Sequence, residues 1–214
     1  MSLESNGDTS GFPGLSRILV LMVCMGVYAL LAQILLLREF LVVFFGNELT
    51  IGAMFSAWLV LVGAGSLLAT FLVARWSSEH LRALLVALLV LAAALLPLQV
   101  WMIRIVRTAL HVAYGEYVPF FSMFASLAAI LAPGCLIIGI AFPCACRLAA
   151  RQLPYAVSRV YTVESLGSMA AGVAFSFWLV WVMSPLAVVT LACVFFCWAR
   201  LVWPLRGYSA GCWV

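Results

Sequence analysis

Eleven arginines, seven acids, two histidines and seven cysteines carry nearly all the ionisable chemistry of this 214-residue chain. They are few, and their spacing is poor for catalysis. His80 and His111 are separated by a long apolar run. No Ser-His-acid set, H-E-x-x-H or paired-carboxylate motif occurs, and catalytic, cofactor and metal sites are therefore all read as none. Cys24, Cys135, Cys144, Cys146, Cys193, Cys197 and Cys212 form no C-x-x-C and no zinc-finger spacing. Most lie in apolar runs, where cysteine acts as a small apolar residue. Gly63-Ala64-Gly65 is not a nucleotide loop, because no strand precedes it.

The polar residues that need an explanation stand inside or beside those runs. Gln33, Arg38 and Glu39 fall in the far half of the first run. Arg38 and Glu39 are adjacent, so on a helix their side chains diverge by about 100° and each needs a partner on another helix or at the interface. Glu48 precedes the second run, well placed against the positive end of a helix dipole. Glu164 lies five residues beyond Arg159 and three beyond Tyr161. It is either a shallow acid near the interface or an internal polar group. These seven residues form a candidate interhelical polar network near the two membrane faces. A charge at membrane depth costs about 2.5–3.5 kcal/mol on insertion scales.

The elements that must position them follow from composition. Two thirds of the chain (67%) is hydrophobic and 8% is charged, in apolar runs too long for a soluble fold of this size. Runs of 18 or more cross a bilayer as helices, and lipid requires every backbone polar group to be satisfied within the chain. The reading is an all-α, polytopic transmembrane bundle of about six helices. The helices are placed at Arg17–Phe45, Leu49–Ala74, Leu81–Trp101, Phe121–Leu148, Val160–Met183 and Leu186–Trp203. Residues 1–16 and 204–214 read as short cytoplasmic tails around a helical domain at 17–203. The acidic start and long first run argue against a cleaved signal peptide. Pro97, Pro133 and Pro143 mark kinks or breaks. Met102 to Pro119 either lies at the interface as an amphipathic helix or continues helix three, and the interfacial reading is preferred.

All basic residues are arginine, scattered between runs rather than gathered in a patch, which excludes a nucleic-acid partner. Eight arginines fall on the N-terminal side and three (Arg38, Arg104, Arg107) on the other, so both termini are expected in the cytoplasm of a bacterial inner-membrane protein. Gly63 and Gly65, Gly134 and Gly139, and Gly167, Ser168 and Gly172 supply small-residue faces for close helix packing.

Three stretches carry a resemblance. They are Ala32-Gln33-Ile34-Leu35-Leu36-Leu37-Arg38-Glu39-Phe40 with Phe45-Gly46-Asn47-Glu48-Leu49, then Gly139-Ile140-Ala141-Phe142-Pro143 with Arg147, then Ser158-Arg159-Val160-Tyr161-Thr162-Val163-Glu164-Ser165-Leu166-Gly167-Ser168. Together they resemble the membrane domain of bacterial spermidine synthase-like proteins, in which a helical domain precedes a soluble aminopropyltransferase domain. Gly65 through Arg75 also faintly resembles the major facilitator superfamily, which implies half of a facilitator-type fold. The catalytic domain has no counterpart in this sequence, so no enzyme site carries over. The resemblance implies a non-catalytic module: an anchor or assembly subunit for partner proteins, or a homo-oligomer, in the lipid bilayer. Rival readings are a small-solute transporter, for polyamines in particular, acting as a dimer, and the membrane subunit of an enzyme with a separate soluble partner. A haem- or quinone-associated subunit is disfavoured by the placement of the two histidines.

Overall fold

The computed structural model describes residues 13–73, 76–112, 116–151, 154–179 and 181. Within them all the regular structure is helical. The helices are α1 (Pro13–Val43), α2 (Glu48–Val73), α3 (Ser78–Ala109), α4 (Phe120–Ala150) and α5 (Ala156–Ala174), the last running into a π-helical turn at Phe175–Leu179. Segments Ile18–Val43, Glu48–Phe71, Ser78–Ala109 and Phe120–Ala150 are long and apolar enough to cross a membrane. The chain is thus a helical membrane bundle. Helix six and most of both tails lie outside the described residues, but α1 already starts at Pro13, inside the segment read as a tail.

Consecutive helices run antiparallel, which defines two ends. The first end holds the start of α1, the α2–α3 connection and the α4–α5 connection. Arg147 near the end of α4 donates to the Val73 carbonyl at the end of α2 (2.6 Å), and Arg151 donates to Ser78 Oγ. The second end holds the α1–α2 and α3–α4 connections. There Phe45 and Gly46 take left-handed backbone (φ 56° and 70°), and Asn47 opens α2 by accepting from the Leu49 N–H at 3.0 Å. Arg107 closes that end. Its guanidinium stacks on the Phe45 ring at 4.5 Å and donates to the carbonyls of Val43 and Glu116.

One expectation is corrected. The stretch from Met102 is not a separate interfacial helix, because α3 continues unbroken to Ala109. Its amphipathic pattern has another cause. Ile103 and Val106 are buried against the bundle, while Arg104 and Arg107 reach back to α1.

Three prolines interrupt the helical hydrogen bonding, each freeing the carbonyl four residues earlier. In lipid a freed carbonyl needs a donor from elsewhere in the protein. Pro143 frees Gly139, and the Ser66 hydroxyl of α2 donates to that carbonyl at 3.1 Å. Pro133 distorts the turn before it, and the buried Gln99 amide of α3 donates to Ile130 at 2.8 Å. Pro97 frees Ala93, and the Tyr28 hydroxyl of α1 donates to the neighbouring Ala92 carbonyl at 2.5 Å. At Pro143 the freed carbonyl itself receives a hydroxyl from another helix, and at Pro133 and Pro97 a side chain from another helix bonds the carbonyl next to the freed one, so the kinks and the packing are set side by side. An Ser66→Ala exchange should lower stability by about 1 kcal/mol. Combined with Pro143→Ala, which restores the N–H, it should cost less, and a double-mutant cycle in detergent unfolding reads the coupling.

Candidate functional site

Glycine sets how closely the helices approach. At the α2–α4 crossing, a Cβ built on Gly65 would lie 2.6 Å from the Leu136 carbonyl oxygen, and one on Gly139 would overlap the Val62 carbonyl. At the α1–α5 crossing, a Cβ on Gly167 would lie 2.5 Å from the Val23 carbonyl oxygen, and one on Gly26 would overlap the Glu164 carbonyl. The correspondence is residue for residue. In each crossing, each glycine meets the carbonyl three residues before the opposing glycine. In each, a serine next to one glycine donates to the carbonyl of the other: Ser66 to Gly139 at 3.1 Å, Ser168 to Gly26 at 3.0 Å. Under exchange of α1 for α4 and α2 for α5 the glycine, serine and carbonyl positions correspond, and each exchanged pair runs in opposite directions. An inverted-topology repeat would place its crossings in this relation.

At the second end, Glu39 on α1 and Arg104 on α3 form a two-pronged ion pair. Arg104 Nε donates to Oε2 at 2.9 Å and an Nη to Oε1 at 3.0 Å. Glu39 is only 7% exposed, while the Arg104 side chain is 46% exposed, so the acid is inside and its partner reaches it from the rim. Planar matching of fork to carboxylate makes this geometry specific to arginine. The adjacent Arg38 points outward, so the divergence of the two side chains is as helix geometry demands.

The other sequence-derived candidates are placed apart. Gln33 is half-buried in α1. Glu48 is exposed at the N-terminus of α2, on the mouth of a groove of about 620 Å3 whose walls include Leu49, Gly52, Phe120 and Phe124. Arg159 and Tyr161 are exposed on the first turns of α5. Glu164 is half-buried, beside the α1–α5 crossing and within electrostatic reach of Cys146 on α4. The structure therefore brings Glu39, Glu48 and Arg38 toward the second end, and Arg159, Tyr161 and Glu164 toward the first.

Sequence reasoning missed Arg104, Tyr28, Gln99 and Gly26. A signal existed for Tyr28 and Gln99: prolines inside spans announce freed carbonyls, and a lone polar side chain in a neighbouring apolar run is the natural donor. Among the described residues no group of three or more His, Cys, Asp or Glu is arranged to hold a metal ion. The four cysteines described, Cys24, Cys135, Cys144 and Cys146, are free thiols. No protein-family model, curated protein or solved structure matches this chain.

Proposed function

We propose that the chain is a membrane-embedded scaffold, non-catalytic alone, that holds partner proteins at the bilayer in the manner of the membrane half of spermidine synthase-like proteins. The observation that carries this reading is how the internal polar groups are used. Tyr28, Ser66, Gln99, Ser168 and the Glu39–Arg104 pair are all engaged in helix-to-helix contacts. Such contacts hold a bundle in one arrangement, as a platform requires, and leave those groups unavailable to a solute. In this reading the first end, where Arg82, Arg147, Arg151 and Arg159 lie, faces the cytoplasm of a bacterial inner membrane. Purification in mild detergent from its native host tests it. A soluble partner retained in fixed proportion is expected. A chain that recovers alone, at all detergent concentrations, contradicts it.

A second reading is a conduit for a small cationic solute, a polyamine being one example, working as a dimer. The two equivalent crossings favour it, because inverted repeats recur in secondary transporters. Uptake of spermidine into vesicles holding the purified protein, above that of empty vesicles, would select this reading over the scaffold.

A further inference from the structure

The α2–α4 crossing provides an internal control for Glu164. Its backbone position in the α1–α5 crossing corresponds to that of Val62 in the α2–α4 crossing, since each lies three residues before its glycine and faces the opposing glycine with its carbonyl. The α2–α4 crossing forms with valine there. The crossing itself therefore does not require an acid, and the carboxyl at 164 must be explained by something other than packing.

Its depth makes that explanation chemical. Glu164 is eight residues into α5, about 12 Å along the helix. Gly26, which packs against the Glu164 backbone carbonyl, is eight residues beyond Ile18, where the apolar span of α1 starts, again about 12 Å. Two separate helices thus place the backbone of Glu164 more than two turns from the first end of the bundle. Among the described residues it has no hydrogen bond and no ion pair. The contrast with Glu39, which is clamped by Arg104, is direct. The ionisable groups around Glu164 are few. Helix α4 presents the Cys146 thiol. Helix α1 presents Gly26 at the contact, with the half-buried Cys24 two residues before it. On α5 itself, Arg159 and Tyr161 are exposed toward the first end. No described cation sits against the carboxylate to hold it in the charged form.

We propose that Glu164 is a proton-binding site inside the membrane, in which the carboxylate takes a proton from water at the first end to become the neutral acid, and returns it there. Intramembrane acids without a fixed partner mark proton and ion routes in other membrane proteins. The inference goes beyond the scaffold reading and is read on the purified chain, so it needs no partner protein and stands or falls separately.

Dicyclohexylcarbodiimide, an apolar reagent, tests it on the full chain in lipid vesicles, followed by intact-mass and peptide mapping. The protonated acid adds its O–H across the carbodiimide, and the product rearranges to a stable acylurea. A single adduct mapped to Glu164 is expected. It should be faster at pH 6 than at pH 9 and weak with a water-soluble carbodiimide. Glu164→Val, the residue used at the equivalent position, should lose the adduct and melt within about 3 °C of the wild type. An unreactive Glu164 in the folded wild type from pH 5 to 9 would overturn the proposal. So would a Glu164→Val protein that fails to fold, because the acid would then be structural.

Discussion

Tyr28→Ala should be the most damaging single truncation in the bundle, at about 3–5 kcal/mol. The side chain is 1% exposed and lies among the largest fully buried residues. Two losses add. The ring leaves a cavity that lipid cannot enter from outside, so its neighbours lose their dispersion contacts outright. Its hydroxyl also leaves the Ala92 carbonyl, beside the Pro97 break in α3. Tyr28→Phe separates the two, keeping the ring and removing only the donor, and should cost about 1 kcal/mol. Steric-trap or denaturant unfolding in bicelles gives both numbers. Equal costs for the two variants would mean that the ring packs against nothing rigid.

The Glu39–Arg104 pair should respond asymmetrically. Arg104→Ala strands a carboxylate that is 7% exposed, and about 2–3 kcal/mol should be lost, less than for a fully buried pair because Arg104 itself is 46% exposed on its side chain. Glu39→Ala leaves the arginine, whose long stem lets the charge reach the interface, and should cost about 1 kcal/mol. Arg104→Lys should behave more like the alanine variant than like the wild type, since an ammonium cannot make the two-pronged contact. The double variant should recover part of the loss, because an absent acid needs no partner. Unfolding of the four proteins in one detergent measures the cycle.

The helices themselves were legible in the sequence because lipid imposes a length, and the first four apolar runs match α1 to α4 closely. The end of α3 was not. Its mixture of Arg104 and Arg107 with Ile103 and Val106 has the pattern of a surface helix, and what distinguishes it is the presence of Glu39 on α1, 65 residues earlier. Pairings of that separation leave no local trace. The same holds for the glycines. Gly65, Gly139 and Gly167 stood out through their small neighbours, yet Gly26 sits alone among large residues and became meaningful only once α5 was laid across it. Gly63 shows the opposite, since it shares the Gly-Ala-Gly motif but a Cβ there would meet nothing within 4 Å. Composition locates small residues, whereas only the crossing says which of them are needed. Helix six lies outside the described residues.

Two equivalent crossings, each closed by a pair of glycines, set how closely the helices of this membrane bundle pack. Melting of six single glycine-to-alanine variants in the same bicelles tests this most directly. Gly26→Ala, Gly65→Ala, Gly139→Ala and Gly167→Ala should each fall by about 1–3 kcal/mol, because the added methyl meets a backbone carbonyl that cannot move without parting the helices. Gly52→Ala and Gly63→Ala, where a methyl meets open space, should hold or rise by up to about 1 kcal/mol from better helix propensity. A flat response across all six, or losses at Gly52 and Gly63 that match the others, would contradict the crossings and the repeat built from them.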